Sequence, residues 1–309
     1  MRVIFLGTPE FAIPVMRALI AGRHEIAAVV TQPDRARGRG HGVSGSPVKD
    51  LALENGLRVL QYDKISAEGA GDLSSLNADI MITAAYGQIL SRQILDVCPY
   101  GVVNVHASIL PKYRGAAPIR WAIINGETKT GVTIMQTDIG LDTGDIILCR
   151  ETEIDPADTG GTLTESLSHL GAETLIEALD LIESGGAVRV PQDESEATRY
   201  PMITKELGVI DWARPAVEIN NLIRGLNPWP AAAAVIGGRS CKLWTAGVVP
   251  YRGKTLPGTV ITADAKFGLT VRCGADALEI SELTAPGGKR MSARAYLAGN
   301  RLAEGTVLE

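Results

Sequence analysis

The sequence predicts two domains of different architecture, an α/β domain with a mostly parallel sheet and, after it, a smaller β-barrel domain. The chain has 309 residues, a length that favours two domains over one. In its first half, short apolar runs alternate with helical patterns, which is typical of a parallel sheet with helices on both faces. Toward its end, short strand-like runs are separated by Gly, Pro or Asp, as in small barrels and sandwiches.

The strands of the first domain are predicted from continuous apolar runs bounded by Gly, Pro or polar residues, which suit a sheet buried on both faces. These runs are Val3–Leu6, Ile26–Val30, Val59–Leu60, Ile80–Ala84, Val102–Val105, Val132–Met135 and Ile146–Cys149. In such sheets, ligands bind beyond the carboxyl ends of the strands. Polar residues that follow these runs are therefore candidates for a functional site.

The helices are predicted from one-sided apolar patterns and from residues that start or stop helices. One helix is predicted over Pro14–Ile20 and a long one over Thr162–Ser184. Ser46 and Pro47 predict the start of another, because serine caps a helix and proline suits its first position. Ser292 is a candidate cap for a short helix near the end of the chain.

These elements predict the domain boundaries. A Rossmann-like catalytic domain is placed at residues 1–187, and a linker containing prolines and a charged run at residues 188–207. Residues 208–309 are predicted to form an OB-like β-barrel that begins with a helix at Ala216–Leu226. Its strands are predicted at Ala232–Ile236, Lys242–Val249, Gly258–Thr262, Leu269–Cys273 and Leu278–Leu283.

The composition excludes several classes of function. The net charge of −5 disfavours a general nucleic-acid binder, so RNA binding would need positive charge concentrated in one region. No apolar run is long enough to span a bilayer, and we expect no membrane association. The cysteines lack CxxC spacing, which favours reduced thiols in a cytoplasmic protein over metal or redox use. They are Cys98, Cys149, Cys241 and Cys273.

Two polar side chains stand at the carboxyl end of a predicted buried strand. Asn104 and His106 are two residues apart, so they share one face of the sheet. A later cluster, Asp138–Asp145, contains glycines whose tight turns can bring a carboxylate back over the sheet. Amide and imidazolium donors stabilise the oxyanion formed when an amine attacks an acyl carbon, and a carboxylate can assist the proton transfer, so these residues suit acyl-type transfer to an amine. From the residues alone, a catalytic His106 and a structural core histidine are about equally good interpretations.

Two long motifs resemble the signatures of folate-dependent formyltransferases. The first is Asn104–Pro118, and the second is Gly131–Met135 followed by Asp138–Gly144. The resemblance implies the same α/β fold and 10-formyltetrahydrofolate as a cosubstrate, with no metal. It also implies a catalytic trio at Asn104, His106 and Asp142.

The same resemblance implies where the folate lies. The residues beside it would be Tyr86, Gly87, Ser108, Ile109, Leu110 and Pro111. The stretch 108–111 reads Ser-Ile-Leu-Pro where the family has Ser-Leu-Leu-Pro, a conservative change that we do not expect to affect folate binding.

The family has branches that act on a purine precursor, on amino sugars of nucleotides and on methionyl-tRNA, and one that is a module of a larger dehydrogenase. The methionyl-tRNA branch is similar over nearly the whole chain, including Phe5–Ala12, Thr31–Arg35, Ile210–Trp212 and Asn227–Pro230. This implies initiator methionyl-tRNA as the partner, and we expect a monomer. An amino-sugar nucleotide is the alternative substrate. A dinucleotide-dependent oxidoreductase has no support, because the first strand lacks a GxGxxG motif.

Positive charge is concentrated around one glycine-rich loop, residues 33–46. Arginine donates well to phosphate oxygens, and glycine lets a loop follow an irregular surface. The residues alone favour a solvated surface loop, whereas the resemblance implies contact with the acceptor end of tRNA. Loop residues 41–45 depart from the lysines of many relatives, so we expect weaker contact there. The candidate tRNA-binding residues are Arg35, Arg37, Arg39 and Lys49.

Overall fold

The structure, a computed structural model, describes residues 1–37 and 42–308 and contains two compact units. The first unit consists of Met1–Pro118, Lys129–Glu153 and Thr164–Tyr200, and the second of Ile119–Thr128, Ile154–Leu163 and Pro201–Glu309.

The main sheet of the first unit is mostly parallel, as the sequence predicts. Strands up to residue 200 are β1 (Arg2–Gly7), β2 (Glu25–Thr31), β3 (Arg35–Arg37), β4 (Gly42–Ser44), β5 (Val59–Gln61), β6 (Ile80–Ala84), β7 (Val102–His106), β8 (Arg114–Gly115), β9 (Lys129–Gln136), β10 (Ile146–Glu153) and β11 (Arg199–Tyr200). Seven of them form one sheet in the order β10-β9-β7-β6-β1-β2-β5. Neighbouring strands in the part β7-β6-β1-β2-β5 of this order are parallel. In contrast, β9 is antiparallel to β7, and β10 is antiparallel to β9. The connection from β9 to β10 is too short for the crossover that a parallel pair requires.

The helices are α1 (Ala12–Ala21), α2 (Pro47–Glu54), α3 (Ile65–Glu68), α4 (Ala70–Ser74), α5 (Arg92–Leu95), α6 (Pro118–Ile124), α7 (Gly160–Glu183), α8 (Ala216–Gly225) and α9 (Ala293–Gly299). Helices α1, α2, α7, α8 and α9 begin at or within two residues of the predicted positions, whereas α3 to α6 are not predicted by the sequence. The Ser46 hydroxyl accepts from the Lys49 N–H at 3.1 Å, and the Ser292 hydroxyl from the Ala295 N–H at 3.2 Å, which confirms both predicted caps. Within the part of the chain that the structure describes, we find no helix with the length and apolarity needed to cross a membrane.

The strands that carry the candidate site are fixed by apolar packing. Buried side chains such as Ile4, Met81 and Val102 join the central strands to the short helices. Helix α7 approaches β7 closely at Gly171, where an added Cβ would lie 2.9 Å from Val105 Cγ1. Because cores of this density do not deform easily, the carboxyl end of β7 has a fixed position.

The second unit contains an antiparallel sheet, which confirms the prediction of a smaller β domain after the α/β domain. Its strands are β12 (Ala232–Ile236), β13 (Arg239–Val249), β14 (Val260–Asp264), β15 (Gly268–Arg272), β16 (Ala277–Thr284) and β17 (Met291–Ser292). They follow the order β12-β13-β16-β15-β14, with β17 on β16. Apolar residues of α8, including Ile219 and Ile223, pack with strand residues such as Leu243 and Ile280 in a single core.

Part of the segment predicted as a linker packs on the first unit. Strand β11 pairs in parallel with β8, so that Arg199 lies opposite Arg114 and Tyr200 opposite Gly115. Backbone hydrogen bonds and polar side chains hold this segment on the first unit. Because few apolar side chains are needed for such contacts, the segment shows no apolar period in the sequence. The domain boundaries at 187 and 208 themselves stay predictions.

Candidate active site

The structure places Asn104 and His106 at the carboxyl end of β7, next to β6. Thr83 of β6 lies opposite Asn104 in the parallel register, and its hydroxyl donates to Asn104 Oδ1 at 2.8 Å. Since the amide oxygen accepts this bond, the amide N–H₂ of Asn104 is left to donate elsewhere. Sequence reasoning missed Thr83, although its place at the end of an apolar strand is a signal of the same kind as that of Asn104.

The His106 ring is 6% exposed and has different surroundings at its two nitrogens. Nε2 lies 3.1 Å from the backbone carbonyl oxygen of Tyr113. A carbonyl can only accept, so Nε2 carries a proton in this arrangement. Nδ1 lies 3.7 Å from Asp142 Oδ1. This separation is longer than a hydrogen bond, and it leaves the Nδ1 edge able to exchange a proton with a reacting group.

Asp142 is brought to His106 by the loop between β9 and β10. The backbone of Asp142 is left-handed, with a φ of 55°, a conformation that Asp tolerates better than most residues. Its Oδ2 accepts from the Gly115 N–H at 2.8 Å, so Oδ1 is the oxygen that faces the imidazole. Asp138, another carboxylate of this loop, instead accepts from Gly140 N and Thr143 Oγ1 at 3.0 and 2.7 Å and fixes the turn. Asn104, His106 and Asp142 thus belong to one local cluster.

The residues that the resemblance assigns to folate lie at the ends of β6 and β7, but their side chains differ in availability. The Tyr86 ring is 4% exposed and packs in the core, and burial raises the pKa of its hydroxyl. Its carbonyl oxygen accepts from Thr8 Oγ1 and Gln32 Nε2, which fixes the loop that contains Gly87. For a ligand, this loop therefore offers backbone and the open space at Gly87 rather than the Tyr86 ring.

In the segment 108–111, too, some groups are used within the protein and others are available to a ligand. The Ser108 hydroxyl is buried and donates to the Lys112 carbonyl at 2.8 Å, and the buried Leu110 donates its N–H to Thr133 Oγ1. Ile109 and Pro111 are only partly buried. Apolar contact with a ligand is thus available from Ile109 and Pro111, while Ser108 and Leu110 shape the loop.

The candidate tRNA-binding residues are only partly described. Arg35 is exposed and Arg37 lies in β3, which pairs with β4 in an antiparallel hairpin. Lys49 is held by an ion pair between its Nζ and Asp34 Oδ2, and Nζ also donates to Gln61 at 3.1 Å. These contacts make Lys49 a brace between α2 and the start of the loop. The prediction for Arg39 lies outside the described residues.

The thiols are poorly suited to act as nucleophiles. Cys98 and Cys273 are buried, and burial raises the pKa of each to about 11, so little thiolate forms near neutral pH. Cys241 is also buried, and Cys149 alone among them is exposed. Over the described residues, the structure shows no cluster of three or more His, Cys, Asp or Glu side chains that could hold a metal ion.

A histidine beside a carboxylate and an amide, at the carboxyl edge of a mostly parallel sheet, is an arrangement that can perform acid–base and oxyanion chemistry in an α/β enzyme. The chain belongs to the formyl transferase family. The formyl transferase family model matches residues 1–179, and the model of the formyl transferase C-terminal domain matches residues 202–301.

Two relatives match the chain from end to end. A methionyl-tRNA formyltransferase of Caldanaerobacter subterraneus subsp. tengcongensis is 49% identical, covering 100% of this chain and 100% of the relative. A methionyl-tRNA formyltransferase of Acetivibrio thermocellus is 46% identical, and the match covers 100% of this chain and 99% of the relative. Among solved structures, an N-formyltransferase of Helicobacter canadensis in complex with folinic acid and dTDP-3-aminofucose has a TM-score of 0.68 at 17% identity, over 90% of this chain and 98% of that one. At that identity, the likeness shows the fold alone.

Proposed function

We propose that the protein transfers the formyl group of 10-formyltetrahydrofolate to the amino group of methionyl-tRNA, giving N-formylmethionyl-tRNA for the start of translation. The observation that carries the chemistry is the approach of Asp142 to the Nδ1 edge of His106 beside Asn104. The end-to-end similarity to methionyl-tRNA formyltransferases supports the choice of acceptor.

The reaction needs an oxyanion stabiliser and a route for one proton. The neutral amine of the methionine attacks the formyl carbon, the bond from that carbon to the folate nitrogen breaks, and the proton lost by the amine ends on the released nitrogen. The Asn104 N–H₂, oriented by Thr83, donates to the oxygen that becomes negative. His106 Nδ1 exchanges the proton, and the charge of Asp142 stabilises that proton on the ring. No serine or cysteine nucleophile is needed, because the amine attacks directly.

The described residues fit a folate at the ends of β6 and β7. The backbone at Gly87 is left-handed and open, with the nearest atom to an added Cβ 3.8 Å away. Ile109 and Pro111 supply apolar surface for a planar ring.

The alternative acceptor is an amino sugar on a nucleotide, since a sugar formyltransferase shares the fold. The identity to that protein is 17%, against 44–49% to methionyl-tRNA formyltransferases over 99–100% of the chain. The sequence similarity therefore favours the tRNA acceptor.

Within this proposal, Arg35, Arg37 and Arg39 contact phosphates of the acceptor stem, and the enzyme works as a monomer in the cytoplasm. Arginine is suited to that contact because its planar fork donates two parallel hydrogen bonds to a phosphate. Lys49 contributes less, because Asp34 already pairs with its charge.

The test is a direct competition for the formyl group. Purified protein is mixed with radiolabelled 10-formyltetrahydrofolate and either methionyl-tRNA or an amino-sugar nucleotide, and formyl transfer to each acceptor is measured. We expect transfer to methionyl-tRNA alone. Transfer to the amino sugar, or turnover of the folate with no transfer to tRNA, would overturn the proposed acceptor.

A further inference from the structure

Residues 113–115 hold both titratable members of the catalytic trio through backbone atoms. The Tyr113 carbonyl contacts His106 Nε2 at 3.1 Å, and the Gly115 N–H donates to Asp142 Oδ2 at 2.8 Å. Arg114 lies between these two contacts. Anything that fixes this tripeptide therefore fixes the distance between the imidazole and the carboxylate.

The segment 192–200, which the sequence predicts as part of a linker, contacts this tripeptide from end to end. The Tyr113 N–H donates to Thr198 Oγ1 and the Arg114 N–H to the Thr198 carbonyl, each at 2.9 Å. The rings of Tyr113 and Tyr200 stack with centroids 4.9 Å apart and planes 13° from parallel. These contacts give the segment a role in the site of the first unit.

The guanidinium of Arg114 bonds to two side chains of the segment 192–200. Its side chain is 0% exposed, and an arginine buried to this extent must have its charge and donors satisfied. Glu194 accepts from Nη1 and Nη2 at 2.9 and 2.7 Å, and this bond to Arg114 holds the pKa of the Glu194 carboxyl below its usual value. Gln192 Oε1 accepts from Nε and Nη2 at 3.0 and 2.8 Å.

The other end of the Gln192 amide bonds to the loop between β9 and β10, residues 137–145, which carries Asp142 and is called the catalytic loop below. Gln192 Nε2 donates to the Asp142 carbonyl at 2.9 Å and to the Gly144 carbonyl at 2.7 Å. Arginine can only donate and carbonyls can only accept, so the orientation of the amide is fixed by its neighbours. Both donors and both lone pairs of the amide are used. Gln192 thus joins Arg114 directly to the backbone of Asp142, which has a left-handed φ of 55°.

We propose that Gln192 is a positioning residue for the transfer reaction, and that it holds the Asp142 carboxylate at its working distance from His106. The proposal rests on the roles of His106 and Asp142 in the proposed function. Without the two bonds from Gln192, the Asp142 and Gly144 carbonyls each lose a donor, and the loop can relax away from His106. A shift of about 1 Å at a catalytic group can lower a rate about 100-fold.

The discriminating variant is Gln192→Glu, which keeps the shape of the side chain and its contact with Arg114. A carboxylate cannot donate to the Asp142 and Gly144 carbonyls, and its second oxygen repels them, so the link to the catalytic loop is broken while the contact with Arg114 is kept. We expect kcat to fall about 10- to 100-fold, with KM for folate and for methionyl-tRNA within about twofold, and the pH profile of kcat to shift. Arg114 stays paired, so the variant should fold, with a melting temperature lowered by the repulsion between the carboxylate and the two carbonyls. Gln192→Met buries no new charge but also removes an acceptor of Arg114 Nε and Nη2, so it should show at least the same fall in kcat together with a lower melting temperature.

The matched control is Asp193→Asn, an exchange of the same size at the next residue. The Asp193 carboxylate accepts from the N–H and hydroxyl of Ser195 and does not reach the catalytic loop. We expect its kcat to match that of the unaltered chain. The positioning role is overturned if the kcat of Gln192→Met is within twofold of that of the unaltered chain. It is also overturned if Asp193→Asn lowers kcat as much as Gln192→Met does. His106→Ala is assayed in parallel, because activity in that variant would instead overturn the proposed site.

Discussion

The hydroxyl of Thr83 donates a hydrogen bond to Asn104 Oδ1 across the parallel pair β6 and β7. A parallel register brings these two side chains together from positions 21 residues apart in the sequence. The bond determines how the Asn104 amide is oriented, because a hydroxyl that donates to Oδ1 directs the N–H₂ away. In the proposed reaction that N–H₂ donates to the formyl oxygen, so Thr83 would act on the reaction through Asn104.

Replacing Thr83 with Val tests that bond. Val matches the shape of Thr but cannot donate, so the Asn104 amide loses its orienting partner. A hydrogen bond of this kind contributes about 1–1.5 kcal/mol, and we expect kcat/KM to fall roughly tenfold. Thr83→Ser keeps the hydroxyl and should retain most of the activity. Equal rates for the Val and Ser variants would contradict the orienting role.

The carboxylate of Asp142 should matter through its charge. Asp142→Asn keeps the size of the side chain and an oxygen to accept from Gly115, but it removes the negative charge that faces His106. We expect kcat to fall about 100-fold or more, and a similar loss for His106→Ala, with circular dichroism unchanged. Asp138→Asn is the control, since Asp138 only fixes the turn. A larger loss for Asp138→Asn than for Asp142→Asn would reverse the assignment.

The tRNA contact is expected to differ between two basic residues near the glycine-rich loop. Arg35 is exposed, whereas the Lys49 ammonium is paired with Asp34. Arg35→Ala should raise KM for methionyl-tRNA and reduce its dependence on salt, with KM for folate unchanged, because each phosphate contact adds to the salt slope. Lys49→Ala should change KM for tRNA less and lower thermal stability instead. Steady-state kinetics at several salt concentrations measure both, and an unchanged salt slope for Arg35→Ala would contradict the phosphate contact.

The cysteines give a prediction that needs no substitution. Only the thiolate reacts with iodoacetamide, and burial raises the pKa of Cys98 and Cys273 to about 11, so at pH 8 the folded protein contains little of either thiolate. Burial also raises the pKa of the Cys149 thiol, but Cys149 is exposed, so the reagent reaches it and it should be modified first. Mass spectrometry should show one label on the native chain and four after denaturation. Rapid labelling of Cys98 or Cys273 in the native chain would show that these thiols open to solvent.

The sequence predicts the elements well because their apolar periods are strong. Strands Ile80–Ala84 and Ala232–Ile236 have the predicted bounds in the structure, and the caps at Ser46 and Ser292 are present. Helices α3, α4, α5 and α6 escaped prediction, since four to seven residues are too few to show a clear helical period.

The site is less readable from sequence because its geometry depends on loops. The residues alone do not distinguish Asp138, Asp142 and Asp145 as partners of His106, and only the resemblance selects Asp142. The structure supplies the physical difference between two of them, since Asp138 is used within the turn while Asp142 is bonded to Gly115. The contacts of Gln192 leave no pattern at all, because its three partners, Arg114, Asp142 and Gly144, are far away in the sequence.

The loop that carries Asp142 should be intolerant of a methyl group at Gly144. A Cβ added there would lie 1.7 Å from the Gln136 carbonyl oxygen, a backbone atom that cannot rotate away. Gly144→Ala must therefore displace the loop, and we expect a loss of about 1–3 kcal/mol in the free energy of unfolding together with a large fall in kcat. Gly71→Ala is the matched control in the same unit, because nothing lies within 4 Å of a Cβ at that helical position. The control should be neutral or slightly stabilising, since alanine favours a helix more than glycine does. Urea denaturation and steady-state kinetics measure both variants, and a Gly144→Ala protein with normal stability and rate would show that the loop is not held against β9 as described.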